Sequence, residues 1–240
     1  MLTHVLFDLY GTLLDVRTDE RSSETVAAFS RWLGERFGPV AARRENESPL
    51  GQSFARILPP PRAHGEPDIA PVVRAHLAEL IDRPPSEAEV RGAAEHFRAS
   101  SRRKLEVVPG AKQALERCQR HLRIGLVSNA QWLFTRPELE GSGLDRLFSL
   151  RLISSELGVR KPAPEIFLRA LELGAALPAE TLYVGNDPVD DVEGAAAVGL
   201  RTCLVGEARY GALHVAPDLS LPSVAELPEL LFGPNRPAWV

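Results

Sequence analysis

Cysteine is nearly absent from this chain of 240 residues. Cys118 and Cys203 are too few for a disulfide framework and lack metal-ligand spacing. Both sit among apolar neighbours and read as buried thiols, so a reducing, cytoplasmic location is the expectation. Lysine is also scarce: Lys104, Lys112 and Lys161 are the whole set, and arginine supplies the remaining basic residues. No apolar run approaches the ~20 residues that a bilayer span needs, and the start of the chain lacks the basic flank and small-residue cleavage site of a secretory signal. Repeats and low-complexity tracts are missing too. A net charge of −4 gives no global basic field to draw nucleic acid or anionic lipid. These absences speak against nucleic-acid and membrane partners and leave the oligomeric state open. What remains, 44% hydrophobic and 25% charged residues, is ordinary for a globular protein.

From about residue 105 onward short apolar runs alternate with helical patterns. Ala111, Ala114, Leu115, Cys118 and Leu122 follow helical spacing, and Arg123 to Ser128 reads as a buried strand. Phe148 to Ile153 is a weaker strand. Ala163 to Leu173 is helical, with Gly174 placed to stop it. Thr181 to Gly185 and Leu200 to Val205 are further strands, separated by a helix carrying Val192, Ala195 and Ala196 and ended by Gly199. Val224 to Leu231 is a last helix. With a strand ending at Asp8, this rhythm predicts an α/β fold, a parallel sheet covered by helices on both faces. Residues 16–104 break the rhythm. Ser23 to Phe37 is an amphipathic helix carrying Val26, Phe29, Trp32 and Leu33, and Ser86 to Glu89 is a capping box opening a helix toward Arg103. Between them the chain is Pro-rich, with Pro59-Pro60-Pro61, and reads as irregular. The expected organisation is therefore a core of residues 1–15 and 105–240 with a helical insert at 16–104.

Four strand ends carry polar groups. Asp8 ends the first, in Val5-Leu6-Phe7-Asp8-Leu9-Tyr10-Gly11-Thr12-Leu13, and Ser128-Asn129 ends another. Lys161 follows in Gly158-Val159-Arg160-Lys161-Pro162. Asn186-Asp187 with Asp190-Asp191 follows Val184-Gly185. In parallel sheets such ends converge on one edge. The set then supplies a carboxylate nucleophile, a hydroxyl and an amide for anionic oxygens, a cation, and an acidic cluster suited to Mg²⁺, which takes one or two carboxylates plus phosphate and water. Taken singly each has an ordinary reading: Asp8 a solvated turn residue, Ser128-Asn129 a cap, Lys161 a surface lysine, the aspartates partners of a helix dipole.

Taken together and in order, these residues resemble the motifs of the haloacid dehalogenase superfamily of hydrolases. Asp8-Leu9-Tyr10-Gly11-Thr12-Leu13 is similar to its first motif, Ser128 to its second, Lys161-Pro162 to its third, and Gly185 to Asp191 to its fourth. The resemblance implies a Rossmann-like core and a helical cap inserted after the first motif. It implies that Asp8 is the covalent nucleophile, that Gly11, Thr12, Ser128 and Asn129 bind the substrate, and that Lys161 offsets the charge at Asp8. A magnesium ion would sit near Asp8, the Tyr10 carbonyl, and Asn186 or Asp187, with Asp191 orienting that shell.

Two departures pull apart. Family phosphatases usually carry an acid/base aspartate two residues after the nucleophile, and here that position is Tyr10, as in the family's 2-haloacid dehalogenases. A phenol with an ordinary pKa of about 10 is a poor base at neutral pH, whereas a halide leaves without a proton. The acidic fourth motif points the other way, toward a cation that relieves Asp187, Asp190 and Asp191 of mutual repulsion. The readings left open are a Mg²⁺-dependent phosphatase of a small phosphorylated metabolite, a metal-independent 2-haloacid dehalogenase, and a binding or regulatory module of the same fold. For the second, an arginine of the insert, Arg36, Arg43 or Arg44, is the expected partner of a substrate carboxylate.

Overall fold

The computed structural model describes residues 1–57, 64–206, 214–234 and 236–240. Its centre is a six-stranded parallel sheet. In chain order the strands are β1 (His4–Phe7), β4 (Arg123–Ser128), β5 (Leu150–Ile153), β6 (Thr181–Gly185), β7 (Arg201–Val205) and β8 (Leu219–Leu221), arranged β5-β4-β1-β6-β7-β8. A separate antiparallel pair, β2 (Leu14–Thr18) and β3 (Arg102–Val107), carries the chain into and out of the helical insert.

The central strands are buried along their length because helices cover both faces. Alternation sorts their side chains. Val5 and Phe7 join one core cluster with Leu115, Leu126 and Leu227, while Leu6 joins the other with Ile166, Phe167 and Tyr183. The flanking helices are α6 (Ala111–Gln119), α7 (Trp132–Ser142), the short α8 (Ser154–Leu157), α9 (Pro164–Gly174), α10 (Gly194–Ala197) and α11 (Leu227–Phe232). A six-residue π-helical stretch, Pro188–Glu193, links β6 to α10. The helix expected at Val192 to Gly199 is thus split in two. α9 runs through Gly174 and is stopped instead by Ala175 in the left-handed conformation, φ 49°.

Between β2 and β3 lie α1 (Ser23–Phe37), α2 (Pro39–Glu47), α3 (Leu50–Ile57), α4 (Ala70–Ile81) and α5 (Glu87–Ser101). The stretch read as irregular from its prolines therefore holds three helices. Pro39 and Pro71 occupy the first turns of α2 and α4, where a missing N–H breaks no helical bond. Pro59-Pro60-Pro61 lies outside the described residues. The capping box at Ser86 and Glu89 forms as the sequence predicts. These helices enclose their own cluster of Phe29, Leu33, Leu50, Val73, Leu77, Ala94 and Phe97, which Phe134 of α7 joins.

β1 occupies the middle of the sheet, where chain order reverses: β4 and β5 lie to one side and β6 to β8 to the other. Ligand sites of open parallel sheets gather outside the carboxyl ends of strands at such a point. Asp8 is the first residue beyond β1 on that edge.

Candidate active site

Asp8 is fixed through its backbone before its side chain is considered. Its N–H donates to the Val184 carbonyl of β6 at 2.9 Å. The chain then turns at once, with the N–H groups of Thr12, Leu13 and Leu14 all donating to the Leu9 carbonyl. Gly11 permits this turn at φ 87°, and a Cβ there would meet the Asn186 amide at 2.8 Å.

The carboxylate of Asp8 is buried and unevenly engaged. Oδ1 accepts from Ser128 Oγ at 2.9 Å and from Lys161 Nζ at 2.8 Å. Oδ2 faces the Thr12 hydroxyl at 3.4 Å, and that hydroxyl lies closer, 3.0 Å, to Asn186 Oδ1. One proton cannot serve both acceptors, so Oδ2 is the less committed oxygen.

Lys161 is the hub. Its ammonium donates to Asp191 Oδ1 at 2.5 Å, to Asp8 Oδ1, and to the Tyr183 hydroxyl at 2.9 Å. Only 3% of its side chain is exposed, so it has exchanged water for these three partners. Burial works against its charge, but the Asp191 and Asp8 carboxylates outweigh burial and hold the ammonium well above the usual lysine range. Burial, with the like charge of Asp8, pushes Asp191 up to about 6 against the pull of Lys161. The Tyr183 hydroxyl passes its own proton to the Val127 carbonyl at 2.7 Å. Tyr183 was legible only as a strand residue, because its polar tip is invisible in an apolar run.

Asn129 braces the lysine loop from outside. Its Oδ1 accepts from the Lys161 N–H at 2.7 Å, while its Nδ2 donates to the Lys161 carbonyl at 3.0 Å and to Asp190 Oδ2 at 2.9 Å. The amide assigned from sequence to a substrate anion is here spent on the chain itself.

The fourth-motif aspartates do not confront one another unrelieved. Asp191 faces Lys161 and accepts from the Asp187 N–H at 2.8 Å. Asp190 lies 3.5 Å from Arg160. Asp187 Oδ1 caps the π-helical stretch, accepting from the N–H groups of Val189 and Asp190. The protein supplies its own cations and N–H donors, which answer most of the repulsion argument for a metal. Burial first, and the charge of Asp187 second, still raise the Asp190 carboxyl above its usual range. Among the described residues no group of three or more His, Cys, Asp or Glu is disposed to hold a metal ion. A smaller oxygen set does exist: Asp8 Oδ2 and Asn186 Oδ1, both facing the Thr12 hydroxyl. One carboxylate and one neutral oxygen fit the small protein share that Mg²⁺ takes when phosphate and water fill its other positions.

Tyr10 points elsewhere. Its hydroxyl donates to Glu138 Oε2 at 2.6 Å and lies 3.1 Å from the Thr135 hydroxyl, both on α7. Burial first, and Glu138 second, raise this phenol above its usual pKa. Glu138 is in turn held by Arg98 Nε of α5 at 2.7 Å, and Arg98 lies 3.4 Å from Glu20. Tyr10, Glu20, Arg98, Gln131 and Thr135, with Phe54, Ile69, Ala130 and Phe134, line a cleft of about 280 Å³ between the insert and the sheet edge. Among the described residues, the arginine lining this cleft is Arg98. Of the three expected from sequence, Arg36 lies against the Phe37 ring, Arg43 pairs with Glu47 and Arg44 with Asp82.

A strap of the insert is tied to the loop that carries Lys161 and to Gln131. The N–H of Glu66 donates to the Gly158 carbonyl, and the N–H of Arg160 donates to the His64 carbonyl. Gln131 donates to Glu66 Oε1 at 2.6 Å and to the Pro67 carbonyl, while accepting from the Ile69 N–H.

The model of a hydrolase family, described as haloacid dehalogenase-like, matches residues 2–199. The chain is 34% identical over 158 residues to the phosphoserine phosphatase of Thermus thermophilus, covering 65% of this chain and 62% of that protein. It is 35% identical over 126 residues to the pyrimidine 5'-nucleotidase YjjG of Escherichia coli, covering 52% and 56%. The chain thus spans less than two thirds of the length of either relative. The crystal structure of a 2-haloacid dehalogenase from Pseudomonas syringae superposes with a TM-score of 0.61 at 25% identity, over 96% of this chain and 98% of that one.

Proposed function

Because this chain belongs to the haloacid dehalogenase-like hydrolase family, we propose that it is a Mg²⁺-dependent phosphatase of a small phosphorylated metabolite, working through an aspartyl-phosphate at Asp8. Residues 16–104 are taken as the cap that closes over the substrate, and residues 1–15 and 105–240 as the catalytic core. The observation that carries the reading is the pair of oxygens, Asp8 Oδ2 and Asn186 Oδ1, facing one hydroxyl beside a buried lysine. The named phosphatases among the sequence relatives support it.

In this mechanism the carboxylate of Asp8, held in place by Ser128 and Lys161, attacks phosphorus. The P–O bond to the leaving group breaks and its electron pair departs with that group. Water then attacks the phosphorus of the aspartyl-phosphate, releasing phosphate and returning Asp8. Lys161 stays charged throughout, so phosphoryl oxygens beside Asp8 meet a fixed cation in a site shielded from water, where such charge acts most strongly. Asn129 and Asp191 keep that cation in position. Mg²⁺, held by Asp8 and Asn186, would supply further positive charge to the phosphoryl oxygens.

Phosphate release from a panel of phosphorylated metabolites, with Mg²⁺ and with chelator, tests the reading. Absence of metal-dependent release from every member would contradict it. One observation favours a second reading, a metal-independent 2-haloacid dehalogenase: Tyr10, whose phenol is tied to Glu138, stands where an acid/base group is needed for alkoxide departure. Halide release from chloroacetate or 2-chloropropionate, unaffected by chelator, would establish that alternative.

A further inference from the structure

Among the described residues, the hydroxyl, carboxyl and ammonium groups of Tyr10, Asp191, Lys161 and Glu138 are each held by partners within the protein. Tyr10 gives its proton to Glu138. Both oxygens of Asp191 are taken, one by Lys161 and one by the Asp187 N–H. Lys161 is buried beneath Asp8 with three acceptors. Glu138 is enclosed, with 2% of its side chain exposed, between Tyr10 and Arg98. Among the described residues, the cation lining the cleft beside Tyr10 is Arg98, already engaged by Glu138 and Glu20, and the apolar part of the lining is Phe54, Ile69, Ala130 and Phe134. This is a pocket with apolar sides whose remaining polar lining, Glu20, Gln131 and Thr135, is already engaged by Arg98, Glu66 and Tyr10.

An alkyl phosphate expels an alkoxide, which is strongly basic and needs a proton as the P–O bond breaks. A positioned general acid contributes on the order of 10²–10⁴-fold to such a step. An aryl phosphate expels a phenoxide, whose conjugate acid has a pKa of about 10 or lower when substituted, and can leave as the anion.

We propose that this site selects substrates by the acidity of the leaving group, and that its substrates are aryl phosphates whose ring lies in the apolar cleft between the insert and α7. The inference rests on the phosphatase reading above. In its first step the Asp8 oxygen bonds to phosphorus, and the bond from phosphorus to the aryl oxygen breaks. The electron pair stays on the phenoxide, which leaves unprotonated into the cleft. In its second step water bonds to phosphorus and the aspartyl oxygen leaves as carboxylate. The protons of that water end on phosphate and solvent.

The test measures phosphate release by the full chain, with Mg²⁺, from a graded set: nitrophenyl phosphates, phenyl phosphate, glycerol phosphate and phosphoserine. The expected result is a steep fall in kcat/KM as the leaving group becomes more basic, with the alkyl esters at least about 10²-fold below the nitrophenyl esters. Tyr10→Asp, which introduces a carboxyl group at that position, is expected to narrow the gap by raising alkyl-ester turnover. Should that variant fail to fold, the graded set with the natural chain decides alone. Equal turnover of alkyl and aryl esters overturns the inference while leaving a phosphatase. A gap that widens further in Glu20→Gln also overturns it, because the cleft of the natural chain would then contain a working proton donor. Phosphate release from no ester, with halide release from chloroacetate, overturns the phosphatase reading and the inference with it.

Discussion

Replacing Lys161 by methionine tests how the site is held together. The side chain is isosteric enough to fill the space, but it removes one positive charge from between two carboxylates. Asp8 and Asp191 side chains are 9% and 2% exposed, so water cannot replace the lost partner. Breaking a buried ion pair by removing one member destabilises by about 3–5 kcal/mol, because the remaining charge is left uncompensated. For a domain of this size that corresponds to a fall in Tm of roughly 6–20 °C. The loss must also depend on pH. Without the ammonium, the two carboxylates repel each other and retain protons to higher pH, so the penalty shrinks on acidification. Urea unfolding of the natural chain and Lys161→Met at pH 8 and pH 5 reads both effects. The expected deficit is about 3–5 kcal/mol at pH 8 and distinctly smaller at pH 5. A deficit under about 1 kcal/mol, or an equal deficit at the two pH values, would refute the picture of a buried lysine neutralising two aspartates.

Asn129→Ala removes the brace on the lysine loop, so kcat is expected to fall on the order of 10²-fold with little change in KM; a rise in KM at constant kcat would instead make the amide a substrate-binding group. Gly185→Ala places a methyl 2.2 Å from Asp191 Oδ2. It should destabilise the fold by about 1–3 kcal/mol and lower kcat with it, and wild-type stability with full activity would show that Asp191 has room to move. Asp191 itself has a native pKa of about 6 against an ordinary 3.8, so the native state holds the extra proton between those values. Its contribution is therefore complete below about pH 4 and lost as pH rises to about 6. The stability of the natural chain relative to Asp191→Asn should fall across that window and level off above it, and a flat difference in denaturant titrations would contradict the assignment.

Much of the sheet edge was readable in advance because each functional residue follows a short apolar strand, and parallel topology brings strand ends together. Asp8, Ser128, Lys161 and Asp191 meet for that reason. What the chain concealed were partnerships made across long sequence separations. Tyr10 looked like a phenol beside the nucleophile, but Glu138 and Arg98, distant in sequence, draw its hydroxyl away. The three aspartates after Gly185 looked like a demand for a cation, yet Lys161, Arg160 and backbone N–H groups answer most of it. The helices α2 to α4 were masked by prolines whose positions in first helical turns cannot be told from turn prolines by composition. The strands β2 and β3 carry too little alternating hydrophobicity to stand out, being exposed or half-buried apart from Leu14.

The central claim is that Asp8 bonds covalently to the substrate. It is tested most directly by rapid acid quench of the enzyme during turnover of a nitrophenyl phosphate, followed by digestion and mass spectrometry of the peptide containing Asp8. The account predicts a phosphoryl group on Asp8 that decays as product forms and is missing in Asp8→Asn. Steady turnover with Asp8 unmodified at every quench time, or a phosphoryl group carried by any other residue, would contradict it.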